Sequence, residues 1–277
     1  MAKKKIAIVT GASRGLGLEF VKLLLKEDLD EIWMIARSEE KMKKIKEKLG
    51  KKIVVCPMDL SRWEEIKELG ERFVKEKVYI MYLINNAGMA KFCSYGDLSV
   101  EESLHMVNLN ISGVVAMGLV CLPFMGKGSH VVNIASQAAF QPLPYQNIYS
   151  STKAFVRNYT RALNVELKGT GIQATAVCPG WMNTELIERG KTEAKKATHR
   201  FLHMVTPQVV AKKAMKDVKK GKDISVQSVC KDVPPDSEDP AAAGCHETVA
   251  PPAEDVKKER FFSPFFIMIA GFRQELF

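Results

Sequence analysis

The first seventeen residues constrain the fold most. Lys5-Ile6-Ala7-Ile8-Val9 is a short apolar run with β-branched members and reads as a buried strand. Thr10-Gly11-Ala12-Ser13-Arg14-Gly15-Leu16-Gly17 follows, and then Leu18, Val21, Leu24 and Leu25 recur at helical spacing. Strand, glycine loop and helix in that order place backbone N–H groups at a helix N-terminus, where a phosphate binds. Gly11 would allow the tight turn, Gly15 the approach of a pyrophosphate, and Gly17 close packing of helix on strand. The spacing Gly-x-x-x-Gly-x-Gly differs from the commoner Gly-x-Gly-x-x-Gly, and no Gly-Lys-Ser/Thr follows, so this is not a nucleoside-triphosphate loop. Its context favours a dinucleotide site over an ordinary glycine-rich turn.

The rest of the chain alternates in the same way. Strand-like runs are Ile6–Val9, Glu31–Ile35, Ile53–Cys56, Ile80–Ile84, His130–Ala135 and Gln173–Val177, with helix-like runs such as Glu39–Leu49, Trp63–Lys77 and Tyr149–Leu167 between them. Alternation predicts an α/β fold: a doubly wound parallel sheet, Rossmann-like, with helices on both faces and right-handed crossovers, in one domain over residues 1–226. Ligands of such sheets lie at the carboxyl ends of the strands. Thr10, Ala36-Arg37, Asp59, Asn86 and Ser136 sit at those ends.

Thirteen residues after Ser136 comes Tyr149-Ser150-Ser151-Thr152-Lys153. On a helix, Tyr149 and Lys153 leave from one face. An ammonium beside a phenol favours phenolate and lowers its pKa, giving a proton donor and acceptor near neutral pH. Ser136 could hold a substrate oxygen against that phenol. Taken alone, the pair is better read as a half-buried Tyr with a snorkelling Lys; the glycine loop reverses that preference.

These segments together resemble the short-chain dehydrogenases/reductases, over roughly residues 4–226 and in the family's order. Thr10 to Gly17 looks like the family's cofactor loop, Asp59-Leu60 like the pair near the adenine, and Asn85-Asn86-Ala87-Gly88 like its Asn-Asn-Ala-Gly motif. Asn110-Ile111-Ser112-Gly113 resembles the helix carrying a fourth catalytic residue, and Pro179-Gly180 with Thr184 the segment folding over the nicotinamide. The resemblance implies Asn110, Ser136, Tyr149 and Lys153 as the catalytic set. It implies cofactor contacts from Gly11, Ser13, Arg14, Gly15, Leu16, Gly17, Arg37, Asp59, Leu60, Asn86, Ala87, Gly88, Tyr149, Lys153, Pro179, Gly180 and Thr184. Tyr149 would donate a proton to a carbonyl oxygen as hydride arrives, or take one in reverse. Lys153 would hold the nicotinamide ribose, Ser136 the carbonyl, and Asn110 would link Lys153 to solvent through a water. A homodimer or homotetramer is the family-level expectation.

Cofactor choice is readable at the end of the second strand. An acid there would hold both ribose hydroxyls and select NAD. The chain has Ala36 and Arg37, with Arg14 in the loop, and guanidiniums bind a 2′-phosphate. NADP(H) is therefore expected over NAD(H). The substrate pocket should be lined from residues 89–95, 138–146 and 181–204, with Phe92, Phe140, Tyr145, Trp181 and Leu186 as the bulky members. That mostly apolar set suits a bulky ketone or secondary alcohol: a hydroxysteroid, a long-chain ketone or a 3-oxoacyl group. A non-catalytic dinucleotide sensor would typically lack the Tyr or Lys. A sugar-nucleotide epimerase or dehydratase would carry a Gly-x-x-Gly-x-x-Gly loop.

Composition narrows the rest. The net charge is +9, but Lys41 to Lys52 and Lys191 to Lys222 interleave with Glu and apolar residues as solvated helix faces do. No basic stripe with stacking aromatics points to nucleic acid. The six cysteines are scattered without Cys-x-x-Cys, so no metal site is expected and a reducing cytoplasm is. No signal-peptide core follows Met1, and no uninterrupted apolar run reaches membrane-spanning length.

Residues 227–277 break the pattern. Val233-Pro234-Pro235-Asp236 and Pro251-Pro252 raise the proline and acid content, and helical periodicity is lost, as in a disordered or loosely attached tail. Codons for residues 229–235, read one base later, can encode Tyr-Val-Lys-Met and Cys-His-Leu, and those for His246 to Asp255 an amphipathic run. A frameshift replacing an original C-terminal helix is the hypothesis this supports. Stop codons early in the alternative frame of the gene would dispose of it.

Overall fold

The structure is a computed structural model and describes residues 3–94, 96–190 and 204–227. Seven parallel strands form one sheet in the order β3-β2-β1-β4-β5-β6-β7. The strands are β1 (Lys4–Thr10), β2 (Glu31–Ala36), β3 (Ile53–Pro57), β4 (Val78–Asn85), β5 (His130–Ile134), β6 (Gln173–Cys178) and β7 (Ile224–Val226). The helices are α1 (Gly15–Leu24), α2 (Glu39–Leu49), α3 (Trp63–Glu76), α4 (Val100–Val107), α5 (Gly113–Cys121), α6 (Asn147–Glu166), α7 (Glu185–Gly190) and α8 (Pro207–Lys219).

Strands buried on both faces carry continuous apolar runs rather than alternation. Ala7, Val9, Ile32, Met34 and Ile84 pack against Phe20 and Leu24 of α1, Met42 of α2 and Val210 and Ala214 of α8. Ile6, Ile8, Trp33, Ile35 and Leu83 face the other way, onto Ile66, Leu69 and Phe73 of α3 and Met117 of α5. The strand order reverses direction at β1, whose neighbours are β2 and β4. That reversal opens a crevice at the strand C-termini, and the sheet places the candidate residues along it.

Two features depart from the sequence reading. β7 was not expected; it is only three residues long, and Ala176, Val177 and Cys178 of β6 pair with it in parallel. Asp217 anchors it: the carboxylate accepts from Ser225 Oγ at 2.7 Å, pairs with Lys222 at 3.0 Å and also takes Lys213 Nζ. Burial raises the Asp217 pKa, but the bonds from Lys213, Ser225 and Lys222 outweigh it and hold it at about 2. The second departure is Val100–Phe124, a continuous helical stretch of 25 residues long and apolar enough to cross a membrane. It contains Glu101, Glu102 and the buried Asn110, and one face of α5 within it packs on α3 and β4, while a third of its most apolar stretch is buried. The tail expected from residue 227 onward, with its frameshift hypothesis, lies outside the described residues apart from Gln227.

Candidate active site

The glycine loop turns because Gly11 and Gly15 hold φ of +63° and +53°, where a side chain is strained. A Cβ on Gly17 would lie 2.4 Å from the Gly11 carbonyl oxygen, so helix and strand approach as only glycine allows. Thr10 ties this loop to the next: its Oγ1 accepts from the backbone N–H of Asn86 and of Ala87, each at 2.9 Å. Asn86 returns the contact, donating Nδ2 to the Thr10 and Gly11 carbonyls at 3.0 and 3.3 Å. Asn86 therefore shapes the cradle with its side chain. Ser13 and Arg14 lie on its rim, and Leu16 turns into the core. The open backbone N–H groups at the start of α1, ten residues long with no acid in its first turn, suit a pyrophosphate.

Arg37 follows the end of β2, and Asp59 and Leu60, expected near the adenine, follow the end of β3. Asp59 Oδ1 accepts from the Ser61 N–H at 3.0 Å and hydroxyl at 2.7 Å. Burial raises its pKa, but those bonds and the nearby Arg37 bring it below the usual range. Leu60 is buried, and its carbonyl oxygen lies 2.9 Å from where a Cβ on Gly113 would stand. Arg37 is exposed. Pro179 accepts from the Gln137 N–H at 2.9 Å, and Gly180 packs on the Gln137 side chain. Thr184 stands over the cradle, its Cγ2 3.6 Å from where a Cβ on Gly15 would be.

Ser136, Tyr149 and Lys153 converge beyond the cradle. Ser136 caps a short 3-10 turn, its Oγ accepting from Ala138 N–H at 3.1 Å, and it hydrogen-bonds the Tyr149 phenol. Tyr149 and Lys153 share one face of α6, with Nζ 5.9 Å from the ring centroid. Lys153 Nζ donates to the Ile134 carbonyl at 2.8 Å. The sequence led us to expect a phenol pulled down by its lysine. Instead burial pushes Tyr149 up, countered by Ser136, and burial drives Lys153 down to about 8. Loss of water is the largest cause of both shifts. Burial thus disfavours both the phenolate and the ammonium, yet at about 8 Lys153 still carries its proton at neutral pH and stands as a buried cation beside a protonated phenol.

Asn110 lies in a π-helical turn, Asn108–Ser112, a distortion common at functional sites. Its Oδ1 accepts from Met89 N–H and its Nδ2 donates to Met89 O, both at 2.9 Å, with Thr152 Oγ1 at 3.1 Å. A Cβ on Gly88 would stand 3.1 Å from Asn110 Oδ1 and 3.5 Å from Lys153 Nζ, so Gly88 keeps the two within reach. Asn108, two residues earlier in the same turn, is exposed. Thr152, the other partner of Asn110, carries no signal in one sequence.

The bulky residues divide. Phe92 is buried, edge-on to Tyr149 at 6.3 Å and to Trp181 at 5.7 Å, and Leu186 joins the same cluster. Phe140 lies elsewhere, packed with Val156 and Val226 under the Arg157 guanidinium at 4.6 Å. Tyr145 is 40% exposed and holds a φ of 63°, an outlying conformation for a bulky residue.

A phosphate cradle and a buried serine–phenol–amine cluster along one sheet edge define an oxidoreductase acting between CH–OH and C=O. The family model for the short chain dehydrogenases matches residues 5–195, and the chain belongs to that family. An uncharacterised oxidoreductase of Staphylococcus aureus (strain MRSA252) is 32% identical over 211 residues, covering 73% of this chain and 91% of the relative. One from Staphylococcus epidermidis is 29% identical over 212 residues, covering 74% and 92%. Among solved structures, the closed form of a serine dehydrogenase complexed with NADP+ superposes with a TM-score of 0.69 at 27% identity, over 80% of this chain and 94% of that one. A short-chain dehydrogenase from Sphingobium yanoikuyae in complex with NADPH shares the fold, at TM-score 0.71, 22% identity and coverage of 80% and 87%. The enzyme works with a nicotinamide dinucleotide, whose place the glycine cradle fits.

Proposed function

We propose that this enzyme uses NADP(H) to interconvert a bulky, mostly apolar ketone and its secondary alcohol. The observation that carries the substrate reading is the apolar wall around the Tyr149 phenol: Phe92, Met106, Ala138, Ile148, Trp181 and Leu186. The likeness to a serine dehydrogenase raises a hydroxy amino acid as a rival, but its carboxylate would need a cation where this wall is apolar.

The bound dinucleotide would supply or accept hydride. Ser136 would hold the carbonyl oxygen, and Tyr149 would give its proton to that oxygen as the alcohol forms. Lys153, protonated at neutral pH, would favour the phenolate that Tyr149 leaves and return a proton to it from its ammonium. Asn110 would position the Gly88-Met89 backbone beside Lys153. NADP(H) preference is supported by Ala36 closing β2 where an acid would favour NAD, and by Arg37 following it and Arg14 in the glycine loop. The NADP+ held by the serine dehydrogenase agrees with it. We also propose a homo-oligomer, and a reducing cytoplasm that would keep the buried free thiols of Cys56, Cys93, Cys121 and Cys178 unpaired.

The test is NADPH and NADH oxidation against a panel of steroid, long-chain, 3-oxoacyl and small polar ketones, with serine and NADP+ in the reverse direction. Turnover of bulky apolar ketones with NADPH is expected; preference for serine overturns the substrate reading. Exchanging Ala36 for Asp and Arg37 for Asn should move preference toward NADH. An unmoved ratio counts against the cofactor assignment.

A further inference from the structure

Arg14 is already engaged. From the rim of the glycine loop its Nη1 donates to Glu185 Oε2 at 2.7 Å, across 171 residues of sequence. Glu185 opens α7, one residue after Thr184, which stands over the cradle. The far end of α7 is tied to the substrate wall, where the Phe92 N–H donates to the Gly190 carbonyl at 2.9 Å. A second guanidinium also reaches Glu185: Arg189 Nη2 lies 3.4 Å from the same carboxylate oxygen, one helical turn on.

We infer that Glu185 is a determinant of cofactor selectivity, because its carboxylate competes with a 2′-phosphate for Arg14. The inference rests on the NADP(H) reading above and adds to it a residue of opposite effect. A 2′-phosphate drawn to Arg14 must share or displace Glu185, and it brings a second anion toward that carboxylate. NAD(H), with a bare 2′-hydroxyl, makes no such demand. Displacement is inexpensive for Glu185, since Arg189 can hold it from within α7. The pair is partly exposed, with side chains 35% and 50% accessible, so the competition is modest and salt-sensitive.

The experiment is binding of NADPH and of NADH to the full chain, read by energy transfer from tryptophan, which needs no turnover. Trp181 lies four residues before Glu185 and reports from the same segment. Glu185→Gln should tighten NADPH about threefold or more and leave NADH unchanged, and the gain should fade at high salt. In an Arg14→Gln background the same exchange should change nothing. An unaltered NADPH affinity in Glu185→Gln, equal shifts for both cofactors, or an effect that survives Arg14→Gln overturns the inference. Equal affinity of the unaltered protein for the two cofactors overturns the NADP(H) reading, and the inference with it.

Discussion

Tyr149 and Lys153 are 8% and 6% exposed, and their burial makes the pair visible in a pH titration of stability. Lys153 falls to about 8 in the folded protein from its ordinary 10.5. Between those values the unfolded chain binds more protons here than the native one does, so stability rises with pH. Below pH 8 the cost of the buried ammonium is present in full. Tyr149 acts with opposite sign, since its raised pKa lowers stability above its ordinary value near 10. The clean window is therefore about pH 8 to 10. Urea unfolding should show the natural protein gaining about 2 kcal/mol over Lys153→Met across that window. A constant gap between the two proteins would refute a depressed lysine. Tyr149→Phe keeps the ring's volume and removes the transferable proton. Turnover should fall about 100-fold or more while dinucleotide binding stays nearly unchanged; ordinary activity in that variant would refute the proton-donor role. The identity of Ser136, Tyr149 and Lys153 was legible because the chemistry demands those groups at that spacing. The sign of the Tyr149 shift was not, since it depends on how much water the fold removes, a tertiary quantity.

At the scale of elements, the strand–loop–helix opening was legible because its constraint is steric and local. Gly17 provides the measure. As the third residue of α1, it would by helix propensity alone be improved by alanine, by about 1 kcal/mol. The added methyl would instead sit 2.4 Å from the Gly11 carbonyl oxygen and 2.6 Å from Asn86 Nδ2. The first of these neighbours is backbone, which cannot swing aside, so the clash should win. Gly17→Ala should lower the thermal midpoint and weaken dinucleotide binding about tenfold or more; a midpoint at or above that of the natural protein would mean the loop relaxes freely. Other elements were hidden for physical reasons. β7 is three residues long, too short for any period, and depends on Asp217 from α8. Phe140 and Phe92 look alike in sequence, but only the 3-10 turn after Ser136 decides that Phe140 faces Val156. The Arg14–Glu185 pair joins elements 171 residues apart, and no local pattern announces such a contact.

Across the described molecule, the sheet order brings residues from five strand ends to one crevice, a consequence of alternation that could be read before any coordinates. What alternation does not specify is which helix faces remain uncovered. α5 is apolar all round, a pattern usually reserved for helices enclosed on every side. Yet Leu119 is 63% exposed, and Phe155 on α6 and Leu104 on α4 are also open. Burying a leucine contributes about 1.5–3 kcal/mol, so leaving such a side chain in water forgoes an appreciable fraction of a domain's net stability. Association of two copies through this layer would recover it, in keeping with the proposed homo-oligomer. Leu119 belongs to none of the buried core clusters, so Leu119→Glu should leave the fold and its circular dichroism intact. Light scattering should give the natural protein a mass of two or four chains and the variant a smaller one. A natural protein that scatters as a single chain, or a variant whose mass equals that of the natural oligomer, would remove α5 from the interface.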